Sequence, residues 1–292
     1  MLSVLIPTYD YAAFSLVKEV HQQLILEAIN FEIICLDDGS NSPLNSKNEK
    51  INTLSFSSFK SLEKNIGRSA IRNLLAHTAK YKWLLFLDAD VIPVRSNFVK
   101  NYIACFKKEH TVFCGGILYQ NKKENFRLLR YRYGKKHEEI SSQQRNKNSE
   151  KYFFTSNFLI QKSVFDVVKF DENLTQYGKE DFLFSLQLIQ KNYQVAHLNN
   201  EVYHLGLDEN TLFVTKTKKA MENLVFLDNQ ELIDAKEMPL LLLVRKISVL
   251  KMIHTVAKFY PFFEKLTIKK SSVFFLNCLK VSYICHLKSE QK

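Results

Sequence analysis

Trp83-Leu84-Leu85-Phe86-Leu87-Asp88-Ala89-Asp90 decides the reading of this chain: five apolar residues run directly into two carboxylates spaced i, i+2. A short apolar run without alternation reads as a strand buried on both faces of a sheet. The acids then fall at its C-terminal end, the edge where open α/β sheets bind ligands. Two carboxylates there repel each other and resist desolvation unless a cation joins them. A hard divalent ion takes oxygen ligands and commonly shares them with a substrate's phosphates. The stretch therefore points to a metal–diphosphate site, with two solvated acids at a turn as the plainer alternative.

Working outward, Ser3-Val4-Leu5-Ile6-Pro7-Thr8-Tyr9-Asp10 reads as a strand followed by a polar loop. Residues 12–29 have helical spacing, with Phe14, Val17, Val20, Leu24 and Ala28 on one face. Residues 31–36 form a second buried strand ending in Asp37-Asp38-Gly39-Ser40. Strand, helix and strand make a βαβ unit, so both strand ends and their polar groups share one edge of a parallel sheet. A third strand is expected at 51–56. Asn65-Ile66-Gly67-Arg68-Ser69-Ala70-Ile71-Arg72-Asn73 opens a helix to about residue 80 and puts Arg68 and Arg72 on one face. Cations near a helix N-terminus oppose its dipole, which is easier to understand if an anion sits there.

These motifs, Pro7-Thr8-Tyr9, Asp37-Asp38-Gly39-Ser40, Asn65-Ile66-Gly67 with Arg68 and Arg72, and Asp88-Ala89-Asp90, occur in the order and spacing of the family 2 glycosyltransferases, which the chain resembles to about Gly206. The resemblance implies the GT-A fold: a mixed, mainly parallel α/β sheet flanked by helices. It also implies inverting transfer from a nucleotide-diphosphate sugar, most often a UDP-sugar, with Mn²⁺ or Mg²⁺. Carried over residue by residue, Pro7, Thr8 and Tyr9 form the loop at the nucleotide. Asp38 bonds the base, and Asp37 beside it holds the loop. Arg72 and its neighbour Arg68 lie on the nucleotide side. Asp88 faces the ribose or a metal-bound water, Ala89 sits between the acids, and Asp90 is the direct metal ligand.

Further along, 97–107 reads as a helix and 111–119 as a strand broken at Gly115-Gly116. Residues 122–150 are basic and polar without clean periodicity; the resembled family is variable here, often with a mobile loop near the acceptor. Ser156-Asn157 stands where that family has Gly-Asn before a strand lining the acceptor site, which makes Asn157 an acceptor-binding candidate. Tyr177-Gly178-Lys179-Glu180-Asp181 precedes an apolar helix. Acids in a first helical turn are simple dipole partners. The match to the family's E-D motif instead makes Asp181 the general base, with Glu180 orienting the loop or binding the acceptor. After a strand at 193–198, His204 in Val202-Tyr203-His204-Leu205-Gly206 matches a further metal ligand, and a neutral imidazole suits Mn²⁺ better than Mg²⁺.

Beyond Asp208 the resemblance stops. The segment reads as helices over 211–235, 240–259 and 262–287, with Pro261 as an interruption. The expected domains are a GT-A domain over 1–207 and a basic helical extension over 208–292. The net charge of +11 is uneven: residues 239–292 hold ten Lys/Arg against two Asp/Glu, and 122–151 hold ten against four, so the remainder carries −3. A basic surface can meet nucleic acid, anionic lipid or a phosphorylated substrate. Without a zinc-finger, RNP or helix-turn-helix signal, nucleic acid is not expected as a partner. Either the C-terminal helices lie on an anionic membrane, or they pack on the core or a partner subunit with their charges solvated.

The five cysteines are scattered and include no C-x-x-C pair, which suggests neither zinc nor a disulfide framework and favours a reducing compartment. Met1 leads directly into strand pattern and no run is long enough to span a bilayer, so the expected location is cytoplasmic or peripheral on the inner membrane face. The expected partners are a nucleotide-diphosphate sugar and a glycan or lipid-linked glycan. A nucleotidyltransferase would need a Gly-rich basic loop after the first strand, and Ile6-Pro7-Thr8-Tyr9-Asp10 is not one. A non-catalytic nucleotide-sugar or membrane-surface binding module would need neither the metal acids nor the base.

Overall fold

Four parallel strands form one half of the main sheet: β1 (Leu2–Thr8), β2 (Phe31–Asp37), β3 (Ser57–Ser61) and β4 (Trp83–Leu87). The computed structural model describes residues 1–174, 177–234 and 238–290. All five residues of β4 are buried, and they divide between two cores. Trp83, Leu85 and Leu87 pack with Val17, Val20, Phe98 and Tyr102; Leu84 and Phe86 pack with Ile71, Leu75, Phe165 and Phe184. Successive strand side chains point to opposite faces, so a strand covered by helices on both sides is apolar throughout.

The remaining strands are β5 (Val91–Pro93), β6 (Val112–Cys114), β7 (Ile117–Leu118), β8 (Asn157–Gln161), β9 (Val195–His197) and β10 (Val202–His204). The main sheet runs β3-β2-β1-β4-β8-β6-β9, with β8 antiparallel to both neighbours. A small second sheet runs β5-β10-β7. The chain leaves the main sheet after β6, turns at Gly115-Gly116 and enters the second sheet as β7, which is the break expected there.

Three expectations are corrected. The strand expected at 51–56 is a 3₁₀ turn over Glu49–Thr53, and β3 follows it. Ile51 is drawn into the core by full burial, while Asn52 Oδ1 accepts the Phe59 N–H at 2.8 Å and starts the edge strand. The stretch 122–150 contains helices at Leu129–His137 and Ser142–Arg145. Pro261 does not interrupt; it sits in the first turn of helix Tyr260–Lys270, where its missing N–H costs nothing, and the chain breaks at Ser271 in the left-handed region.

The chain divides into two compact units. One comprises Met1–Gln120, His137–Thr175 and Glu180–Gly206; the other comprises Asn121–Lys136, Gln176–Lys179 and Leu207–Lys292. Within the second, the segment from 121 is held by its own unit: the Leu129 N–H donates to Asn210 Oδ1 at 2.8 Å, and Lys280 lies 4.4 Å over the Tyr133 ring. Its long helices are Asn210–Asn229 and Val273–Glu290. Ala235 and Lys292, at the ends of two expected segments, lie outside the described residues. Among the described residues no helix is long and apolar enough to cross a membrane.

Candidate active site

Parallel pairing of β1 with β2 and β4 brings the C-terminal ends of all three strands to one edge. At the β2 end, Asp37 is fully buried and accepts from Ser40 N–H (3.0 Å), Ser40 Oγ (2.6 Å), Asn45 Nδ2 (2.9 Å) and Ser61 Oγ (2.7 Å). Burial pushes its pKa up, but these donors together outweigh burial and hold it below the ordinary carboxylate value. Asp38 receives only two backbone donors, Ile66 N–H at 2.7 Å and Gly67 N–H at 3.0 Å, and burial leaves its pKa raised. Asp38 thus ties the loop at 65–67 to the sheet edge and keeps lone pairs available. The Asp38 N–H donates to the Thr8 carbonyl at 2.9 Å, joining the Pro7-Thr8 strand end to the same loop. Thr8 is buried with its hydroxyl on the Tyr11 carbonyl (3.1 Å), whereas Tyr9 is exposed.

The helix Arg68–Thr78 carries both predicted arginines. Arg72 is buried and donates from Nη2 to Asp88 Oδ1 at 2.6 Å and to Thr155 Oγ1 at 3.3 Å. Arg68, half exposed, stands 3.7 Å from Glu180 Oε1, and Glu180 is buried. The charge of Arg72 is therefore met by the first acid of the D-A-D element, and Arg68 reaches the helix Glu180–Gln190. Asp181 follows Glu180, is partly exposed, and accepts the Phe182 N–H on Oδ1 at 2.7 Å.

Asp90 meets His204 because β5, which starts directly after it, pairs antiparallel with β10 and sets His204 opposite Val91. The Leu205 N–H closes this corner on the Asp90 carbonyl at 2.8 Å. Asp90 Oδ2 and His204 Nε2 converge to 3.6 Å. Gly206 is required beside them: a Cβ there would sit 1.9 Å from Asp90 Oδ2. Ala89 between the acids is buried in the core. A carboxylate oxygen just before β5 and an imidazole nitrogen on β10 converge as a donor set that fits a divalent cation. Among the described residues no group of three or more His, Cys, Asp or Glu could hold an ion alone, so these two residues fit a metal whose other ligands come from substrate and water.

Asn157 is the residue expected at the acceptor. It is buried, and Oδ1 accepts from Tyr102 OH (2.6 Å) while Nδ2 donates to the Gly116 (3.0 Å) and Asn200 (2.9 Å) carbonyls. Its hydrogen-bonding groups are occupied by the fold.

Several residues of this region have no counterpart among the sequence candidates. Tyr11 is half-buried and near enough to Asp90 that, after burial, the carboxylate raises its pKa. Tyr119 lies against His204, ring centroids 5.7 Å apart, and its hydroxyl donates to Glu138. Arg145 is fully buried, donating to the carbonyls of Ile140 (2.5 Å), Gly115 (3.1 Å) and Leu198 (2.6 Å) and to His197 Nδ1 (3.2 Å). Gly116 has φ +90°, and a Cβ on it would lie 2.4 Å from the Arg145 guanidinium. His197 must be neutral to accept from Arg145, and burial, which outweighs its bond to the Ser149 carbonyl, lowers its pKa to about 4. The one signal in sequence was the Gly115-Gly116 break, which marks a close backbone approach but not its partner.

Residues 3–169 match the family described as "Glycosyl transferase family 2". No protein of curated function is significantly similar in sequence. Among solved structures, the chain is similar to S. aureus TarS 1-349 in complex with UDP, with TM-score 0.53 and 14% identity over 99% of this chain and 90% of that one. It is also similar to the mannosyltransferase PcManGT from Pyrobaculum calidifontis in complex with GDP-Man and Mn²⁺, with TM-score 0.53 and 11% identity over 97% and 86%. At such identities the likeness is one of fold, and the fold is the expected GT-A architecture.

Proposed function

The chain belongs to glycosyl transferase family 2, and from that premise we propose that it moves a sugar from a nucleotide-diphosphate sugar, of the UDP type, to a hydroxyl of a glycan or lipid-linked glycan, with inversion at C1. The observation that carries this reading is the convergence of Asp90 and His204 at the edge where Asp88, Arg72, Arg68 and Glu180 are linked in pairs.

Asp90 and His204 would hold a divalent cation, Mn²⁺ before Mg²⁺ because one donor is an imidazole. When bound, it supplies positive charge where the diphosphate leaves. The loops at Pro7-Thr8-Tyr9 and 65–67, joined through Asp38, bind the nucleoside. Arg72 holds and aims the Asp88 carboxylate, so that Asp88 can accept from the ribose. Asp181 takes the proton of the acceptor hydroxyl as its oxygen forms the new bond to C1; the old C1–O bond breaks and its electron pair stays on the diphosphate. Arg68 and Glu180 support the start of the helix that carries Asp181.

The test is donor binding and turnover with UDP-, GDP- and CMP-sugars in Mn²⁺, Mg²⁺ or EDTA. The expected result is binding or slow hydrolysis of one UDP-sugar that EDTA abolishes. Asp181→Asn should retain donor binding while transfer falls about 10²–10⁴-fold, the range for a lost general base. Binding of no donor with either metal would defeat the reading. Unimpaired turnover in Asp181→Asn would remove that residue from the chemistry.

A further inference from the structure

We propose that the segment from Val249 to Phe262 docks the protein on an anionic lipid surface, a property separate from sugar transfer. The turn after helix Pro239–Val249 exposes Val249 at 81%, Leu250 at 67% and Met252 at 48%. Phe259 and Phe262 follow at 51% and 56%. Apolar side chains so exposed and so close in sequence are not the scattered singles of an ordinary surface.

Their arrangement is helical. The short helix Ile253–Ala257 has Met252 as its N-cap and continues through Lys258 and Phe259 into helix Tyr260–Lys270. The Val256 N–H bonds the Met252 carbonyl and the Phe263 N–H bonds the Phe259 carbonyl, so the turn is maintained through the junction. Ile253 and Ala257 are buried and form the inner side. Met252, Thr255 and Phe259 follow one another at i, i+3 and i+7 on the outside. His254 and Lys258, both exposed, stand one residue before Thr255 and Phe259, and Lys251 is exposed in the left-handed turn that precedes the helix. The exposed Met252 and Phe259 thus stand beside exposed lysines.

This pairing matches the boundary between lipid headgroups and acyl chains, where apolar side chains enter and lysines remain at the phosphates. It does not match a second copy of the same face. Residues 239–292 hold only two acids, Glu264 and Glu290, and Glu264 already pairs with Lys218 at 3.2 Å. Neither Lys251 nor Lys258 has a carboxylate partner among the described residues, and self-association would set these cations against each other.

The experiment is co-sedimentation of the full chain with vesicles of phosphatidylcholine alone or mixed equally with phosphatidylglycerol, at low and high salt. Binding should require the anionic lipid and weaken as salt screens it. Leu250→Glu with Phe259→Glu should reduce partitioning about tenfold or more, from the lost apolar burial. Lys251→Glu with Lys258→Glu should reduce it about fivefold per cation. Thr255→Leu, which adds an apolar side chain between Met252 and Phe259 and breaks no side-chain hydrogen bond among the described residues, should tighten it. Circular dichroism checks folding, and if the glutamate pair unfolds the chain, Thr255→Leu decides the question. Failure to bind anionic vesicles, equal binding to neutral ones, or indifference to these substitutions would overturn the proposal. So would a concentration-dependent dimer abolished by the same changes in a protein that ignores vesicles. Donor turnover in solution should be unchanged throughout, which keeps this result distinct from the sugar-transfer reading.

Discussion

The edge around Asp88, Asp90 and His204 and the polar cluster around Gly115 and Gly116 lie in the same unit and use the same kinds of side chain. At the edge, valences are left over. Of the eight described buried side-chain atoms without a hydrogen-bond partner, five belong to residues of this edge: Ser69 Oγ, Arg72 Nε, Ser156 Oγ, Glu180 Oε2 and His204 Nδ1. In the Gly115-Gly116 cluster, the groups are used up: Arg145, Asn157, Asn200 and Tyr102 all bond to protein. A buried polar group without a partner costs stability, which supports the proposed ligand site at the edge, whereas a saturated cluster holds the fold. The two are connected: the Val202 N–H bonds the Gly116 carbonyl at 3.2 Å, which leads β10 from the cluster to His204 at the edge.

The sharpest way to break this contrast is to exchange the expected phenotypes. Arg145→Met removes the side-chain donor of the Ile140, Gly115 and Leu198 carbonyls, of which Gly115 keeps the Asn200 N–H, and should cost about 3 kcal/mol of stability, measured by denaturant unfolding. Asp90→Asn should leave the melting temperature nearly unchanged while turnover falls about 10²–10³-fold, as for loss of a charge-stabilising group at a reaction centre. A silent Arg145→Met, or an Asp90→Asn protein that unfolds, would reverse the assignment of the two regions.

A smaller effect comes from His197. Its folded pKa, about 4, lies below the ordinary value of 6.5. Above pH 6.5 it is neutral in both states and its contribution is complete. As pH falls toward 4, the unfolded chain takes up a proton that the folded one refuses, and stability drops by about 1.4 kcal/mol per pH unit. Wild type should therefore lose about 2 kcal/mol more than His197→Asn between pH 7 and pH 5 in parallel unfolding titrations. Equal losses would show that the imidazole is not held neutral beside Arg145.

Much of the site was legible because it is written locally. Asp88 and Asp90 follow an apolar run whose lack of alternation already says that the strand is buried on both sides. Asp37 and Asp38 end the second strand, and Arg68 and Arg72 share a helical face by spacing alone. Asn157 occupies the position of an acceptor residue in the resembled family, and position does not reveal that three distant groups bond its amide. The strand at β3 was displaced because Ile51 looks like strand by type and becomes a core turn by burial. Residues 122–150 were opaque because their helices are not amphipathic by periodicity; they are fastened by particular contacts such as Leu129 to Asn210.

By itself the sequence determined the class of sheet, the order of its first elements, which strands end in acids, and the uneven charge, because periodicity and composition act within a few residues of the chain. The tertiary structure alone decided which polar groups are occupied and which remain open. Arg72 finds Asp88, Asp90 finds His204, and Arg145 finds Gly115 and His197 only after the sheet has closed. A hydrogen bond depends on distance and angle in space, and neither exists until residues remote in the chain have been packed together.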